Sequence, residues 1–177
     1  MGLLITGTPG CGKTIFSKKL SRFLKAKLVD INDVINKNKI YRMSGKKEKI
    51  VDLKKLSKIL EGILAKEKNV VIESHLLCEM RLPCEKIIVL RCNPLVLKKR
   101  LEKRGYALWK VKENVLAEML DYCIVRAEEN YPKKKVLQVD FTKPLSPNSV
   151  LKRGKNDEID WMPLFDRLGK GLKGFAD

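Results

Sequence analysis

Acidic side chains are scarce in this 177-residue chain: 21 Asp and Glu stand against 38 Lys and Arg, a formal charge of +17. That deficit favours anionic partners, such as phosphate compounds or RNA, over direct attraction to another basic protein. The cysteines (Cys11, Cys78, Cys84, Cys92 and Cys123) are odd in number and contain no C-x-x-C pair. This spacing excludes a zinc site or a complete disulfide framework and leaves reduced, mostly buried thiols as the expectation. No apolar window approaches the length of a membrane span, and the first residues lack the features of an export signal. The expected location is therefore the cytoplasm, with no membrane partner.

What the chain does contain is enough apolar material, 44% of residues, for one sizeable core. One domain is expected over residues 1–177. The positive charge is concentrated. Residues 37–68 carry 11 basic and four acidic side chains, and residues 98–112 carry seven basic and one acidic. Two such clusters could be solvated helix faces or a surface for phosphate or RNA.

Short β-branched runs alternate with segments of helical period, the pattern of an α/β domain with a mainly parallel sheet. Strands are expected near Leu3–Thr6, Leu28–Ile31, Val70–Glu73, Lys86–Leu90 and Val136–Asp140. Their apolar continuity predicts burial on both faces. Helices are expected over Lys13–Lys25, Asn32–Asn38, Asp52–Lys66, Pro94–Lys103, Val111–Tyr131 and, last, Ile159–Leu168. The stretch Lys143–Asp157, with two prolines, reads as a loop.

Between the first strand and the first helix lies Gly7-Thr8-Pro9-Gly10-Cys11-Gly12-Lys13-Thr14, which satisfies G-x-x-x-x-G-K-[ST] in the context that motif requires. Glycines let the backbone wrap phosphates with its N–H groups pointing inward, and the helix adds the positive end of its dipole. Lys13 is expected to reach the β and γ phosphates of ATP, and Thr14 to offer its hydroxyl to Mg2+. Arg100 and Arg104, four apart on one helix face, and Arg91 at a strand end are candidates to stabilise a transferred phosphoryl group. No N-K-x-D guanine-reading motif is present, which argues against a GTP switch.

Further along the chain come Val70-Val71-Ile72-Glu73-Ser74-His75, Ile87-Ile88-Val89-Leu90-Arg91 and Arg100-Leu101-Glu102-Lys103-Arg104-Gly105-Tyr106. Together with the glycine loop, and with Lys110, Asn114, Glu118, Tyr131 and Lys143-Pro144, these runs resemble the adenylate kinase isoenzyme 6 family. The resemblance spans about residues 1–145. It implies a P-loop, adenylate kinase-like fold: a parallel five-stranded sheet with helices on both faces, a monophosphate-binding insert near residues 30–53 and a short lid near 103–113.

By position, the resemblance implies ATP binding by Gly10, Gly12, Lys13, Thr14 and Ile15, with Arg104 on the ATP phosphates. Glu73 would hold magnesium through water, and His75 would serve ATP hydrolysis. The reaction implied is ATP + AMP = 2 ADP. The family is also associated with maturation of the small ribosomal subunit, so a small-subunit ribosomal protein and rRNA enter as partners and a ribosome-assembly ATPase as the alternative. Two positions depart from the pattern: Glu73 stands where aspartate is usual, and Asn36, with Lys37 and Lys39 beside it, where arginine is frequent. Leu108 and Trp109 could form a partner-binding knob or pack the lid against the body, and packing is the expectation.

Overall fold

Leu3 and Ile5 face one way along strand β1 (Gly2–Thr6) and Leu4 the other, and all three are buried. That alternation requires a hydrophobic layer on each face of the sheet. The computed structural model describes residues 2–44 and 49–165. It contains a five-stranded parallel sheet in the order β2 (Lys27–Asp30), β5 (Val70–Glu73), β1, β6 (Lys86–Arg91), β7 (Val136–Asp140). All five strands coincide with those expected from the sequence.

Parallel neighbours need crossover segments, and helices supply them. On the Leu3/Ile5 face, Phe16 and Leu20 of α1 (Lys13–Leu24) join Leu97 and Leu101 of α4 (Pro94–Lys103) and Val111, Val115 and Met119 of α5 (Leu108–Met119). On the Leu4 face lie Ile31 and Ile35 of α2 (Ile31–Asn38), Leu56 and Leu60 of α3 (Leu53–Lys66), and Ile124 and Ala127 of α6 (Tyr122–Asn130). Caps match the composition at several starts. Asp30 and Asp52 accept from Asn32 N and Lys55 N, and Asn93 accepts from Leu95 N ahead of Pro94.

The structure departs from the sequence reading in four places. The helix expected over 111–131 is two helices, broken where Asp121 takes a left-handed φ of 56°. The buried Arg91 captures the Glu118 carbonyl at 3.0 Å and the Asp121 carboxylate at that break, a long-range tie that helical periodicity cannot signal. Second, α2 and α3 are joined by an antiparallel ribbon, β3 (Tyr41–Met43) and β4 (Lys49–Val51). Third, the expected loop 143–157 contains a short helix, α7 (Pro147–Leu151), capped by Ser146, and Asp157 lies along the free edge of β7. Fourth, of the helix expected at Ile159–Leu168, residues 159–161 are not helical, Met162–Leu164 form a 3-10 turn and Phe165 is helical, and the remainder lies outside the described residues.

Candidate active site

The carboxyl ends of β5, β1 and β6 form a crest, and the glycine loop crosses it. Gly7, Gly10 and Gly12 all have positive φ, at 134°, 96° and 105°. At Gly7 a Cβ would stand 2.2 Å from the Leu90 carbonyl oxygen, so the loop start lies directly on β6 and admits glycine alone. Gly12 caps the first turn of α1 with its backbone, which leaves that turn's N–H groups facing the loop.

Lys13 is 9% exposed, and its ammonium donates to two carbonyls of its own loop, Gly7 O at 2.8 Å and Thr8 O at 3.1 Å. A buried ammonium held, among the described residues, by two neutral carbonyls of a glycine-rich loop is a site poised for an anion. Thr14 donates its hydroxyl to Glu73 Oε1 at 2.9 Å. Hydroxyl and carboxylate at the mouth of a phosphate loop are hard oxygen donors of the kind that suit Mg2+. Ile15 projects from the first turn of α1 and is exposed.

His75 follows the crest immediately, in a 3-10 turn (His75–Glu79) whose start is capped by Ser74 accepting from Leu76 N. Its ring is open to solvent on one side. The protein packed around the rest of it, and then the nearby Lys13 ammonium, push its pKa down to about 4, with Glu79 opposing. The imidazole is therefore neutral at pH 7 and can accept a proton or a hydrogen bond. Two cavities meet at His75 and Leu76. One, of about 550 Å³, lies between Thr8, Glu79, Glu113 and Asn114. The other, of about 330 Å³, lies between Asn32, Asn36, Lys49 and Leu53. Lys49 reaches Asn36 Oδ1 across the second and stacks 4.3 Å over the Tyr41 ring.

The arginines separate. Arg104 is exposed at the end of α4, just before the turn at Gly105 that leads into α5. Arg100 is tied to the Thr142 carbonyl at 2.7 Å and to Cys92 Sγ. Arg91, expected to face a ligand, is 1% exposed and spent inside the protein. Its Nε donates to Glu118 Oε1 at 2.7 Å and its Nη1 to Gln138 Oε1 at 2.7 Å. A strand-end arginine points to the crest only if nothing inside captures it, and Glu118 does. Leu108 and Trp109, expected to be packed, are exposed instead, with Lys110 lying 5.1 Å over the Trp109 ring.

Glu118 is the main buried polar residue whose role sequence reasoning missed. The signal was there: it falls on the same helical face as Val111 and Val115, an acid inside an apolar stripe. All five cysteines are free and buried, as their spacing suggests.

A family profile described as "AAA domain" matches residues 3–121. A protein of Methanocaldococcus jannaschii named "Putative adenylate kinase" is 38% identical over 98% of this chain and 100% of its own length. A protein of the same name from Pyrococcus furiosus is 33% identical over 95% of each chain. Among solved structures, a gluconokinase from Sinorhizobium meliloti aligns with TM-score 0.54 at 12% identity, over 97% of this chain and 94% of its own. A shikimate kinase from Aquifex aeolicus aligns with TM-score 0.51 at 19% identity, over 98% and 100%. These two likenesses establish the P-loop kinase fold.

Proposed function

This chain belongs to the AAA-domain family, alongside its archaeal relatives, and from that membership we propose that it is a nucleoside monophosphate kinase that transfers the γ-phosphoryl group of ATP to AMP. The observation that carries the reading is the crest itself. The phosphate loop, with Lys13 in reserve and Thr14 paired to Glu73, lines one cavity through its Thr8 and Pro9, and that cavity shares His75 and Leu76 with a second. The second cavity, walled by α2 and the ribbon, suits an acceptor nucleotide.

In this reading Gly10, Gly12, Lys13, Thr14 and Ile15 bind ATP. Lys13 leaves its two carbonyls to bridge the β and γ phosphates and to follow the charge as it moves onto the leaving ADP. Thr14 and, through water, Glu73 would hold magnesium, which would supply neutralisation of phosphate charge when bound. An AMP phosphate oxygen bonds to the γ phosphorus as the β–γ bridging bond breaks, so two ADP form with no covalent enzyme intermediate. The segment 103–113 acts as the lid, bringing Arg104 to the phosphates, and residues 30–53 form the monophosphate insert. The neutral His75 accepts a hydrogen bond at the junction of the two cavities, from water when no acceptor is present.

Phosphorus NMR of the protein with ATP and Mg2+, with and without AMP, tests this directly. ADP formed only with AMP present, without free phosphate, and lost in Lys13→Ala, is the expected result. Free phosphate from ATP alone, indifferent to AMP, would refute it. That outcome would favour the second reading, a ribosome-assembly ATPase with a small-subunit ribosomal protein and rRNA as partners. The observation behind it is the basic surface: Lys37, Lys39, Arg42, Lys54, Lys55 and Lys58 of α2, the ribbon and α3, and Lys99, Lys103 and Arg104 at the end of α4, are all exposed. Salt-sensitive RNA binding by the intact chain tests that surface.

A further inference from the structure

The most heavily bonded buried carboxylate in the described structure is Glu118, 1% exposed near the end of α5. Its Oε1 accepts from Arg91 Nε at 2.7 Å, Cys92 N at 3.1 Å and Trp161 Nε1 at 3.3 Å. Its Oε2 accepts from the Thr8 hydroxyl and, at 3.6 Å, from the Cys11 thiol. Thr8 and Cys11 stand at positions that the G-x-x-x-x-G-K-[ST] motif leaves unspecified. One carboxylate thus gathers the loop, the end of β6, α5 and the chain near residue 161.

Thr8 is the junction. Its side chain is 1% exposed and held by Glu118, while its carbonyl is one of the two that hold Lys13. Its carbonyl also accepts from Cys11 N at 3.1 Å, closing the turn at the centre of the loop. A glycine-rich loop is otherwise free to sample many shapes, and each shape that misdirects its amides costs affinity for phosphate. A charged acceptor in a dry site is the strongest single restraint available to a threonine hydroxyl.

We infer that Glu118 and Thr8 form a positioning pair for the phosphate loop: the carboxylate fixes the Thr8 hydroxyl from behind, so the loop amides and Lys13 are preset for nucleotide phosphates. The inference rests on the proposal that nucleotide binds at this loop. The same bond ties the loop to the segment proposed to close over it. Helix α5 runs unbroken from Leu108 to Met119, so its first residues belong to that segment and Glu118 sits at its far end. Displacement of the helix therefore bears on Thr8.

The test compares Thr8→Val, which keeps volume and removes the donor, with Thr8→Ser, which keeps the donor. ATP-Mg and AMP affinities are measured separately by calorimetry, and Tm is recorded. The expected result is a loss of roughly tenfold in ATP-Mg affinity for Thr8→Val, near-normal AMP affinity, and recovery in Thr8→Ser. Glu118→Gln is predicted to reproduce the ATP defect. Thr8→Val retaining ATP affinity within about twofold, or losing both nucleotides equally, would overturn the inference. Failure of the wild-type chain to bind ATP would instead overturn the nucleotide reading on which it rests.

Discussion

Replacing Arg91 by methionine removes the only full counter-charge in contact with Glu118 among the described residues. Both side chains are 1% exposed, so the stranded carboxylate keeps Thr8, Cys92 N, Cys11 and Trp161 as neutral donors and gains no water. Breaking a buried pair in this way costs about 3–5 kcal/mol, a large share of the roughly 5–15 kcal/mol that holds a domain together. Glu118→Leu is the milder change. Arg91 then retains the Asp121 carboxylate and the Gln138 amide oxygen, so the loss should be about 1–3 kcal/mol. The double variant should be more stable than the sum of the single losses implies, by at least about 1 kcal/mol, because no charge is left unpaired at Glu118. Urea unfolding of the four proteins, with slopes checked for constancy, measures all three quantities. Equal costs for the two single variants, or strict additivity in the double, would refute the view that the pair is one buried electrostatic unit with unequal reserves.

Lys13→Ala should lower turnover by at least about a hundredfold in a coupled ADP assay while leaving the fold intact. Gly7→Ala should cripple ATP binding and lower stability by more than about 2 kcal/mol, since its Cβ would meet the Leu90 carbonyl at 2.2 Å. Gly105→Ala, at φ 72° with nothing within 4 Å, should cost only about 1 kcal/mol, and thermal unfolding separates the two cases. His75, the sole histidine, should titrate by proton NMR near pH 4 rather than 6.5, and Lys13→Ala should raise that value. Because the folded value lies below the unfolded one, protons favour the unfolded chain between the two. Stability contributed at this residue should fall as pH drops from about 6.5 toward 4, weakly because the ring is open to solvent. Native alkylation of Cys11, Cys84 and Cys92 should be slow at pH 8, since burial pushes Cys84 and Cys92 up to about 11 and Cys11 well above its usual value.

Local and short-range physics made much of this protein legible. The five strands announced themselves as apolar runs because a sheet covered on both faces needs them. The first three helices and α4 were read from their helical period. The phosphate loop was readable because it is contiguous: eight successive residues carry the glycines, the lysine and the threonine that the chemistry requires.

The remainder depends on partners distant in sequence. Nothing local to Arg91 distinguishes a crest residue from one seized by Glu118, 27 positions away. The break at Asp121 follows from the same capture, since α5 and α6 read as one amphipathic run until Arg91 takes the carbonyl and carboxylate at their junction. The ribbon between α2 and α3 escaped notice because its strands are three residues each, too short for a period-2 signal. Exposure at Leu108 and Trp109 is likewise a tertiary outcome, for it depends on where α4 and α5 place the turn between them. By itself, then, the sequence determined the sheet, the phosphate loop and the chemistry the loop can offer, because those rest on contiguous residues. Which charges face a ligand and which are locked inside was decided only in three dimensions, where desolvation assigns each buried ion its partner.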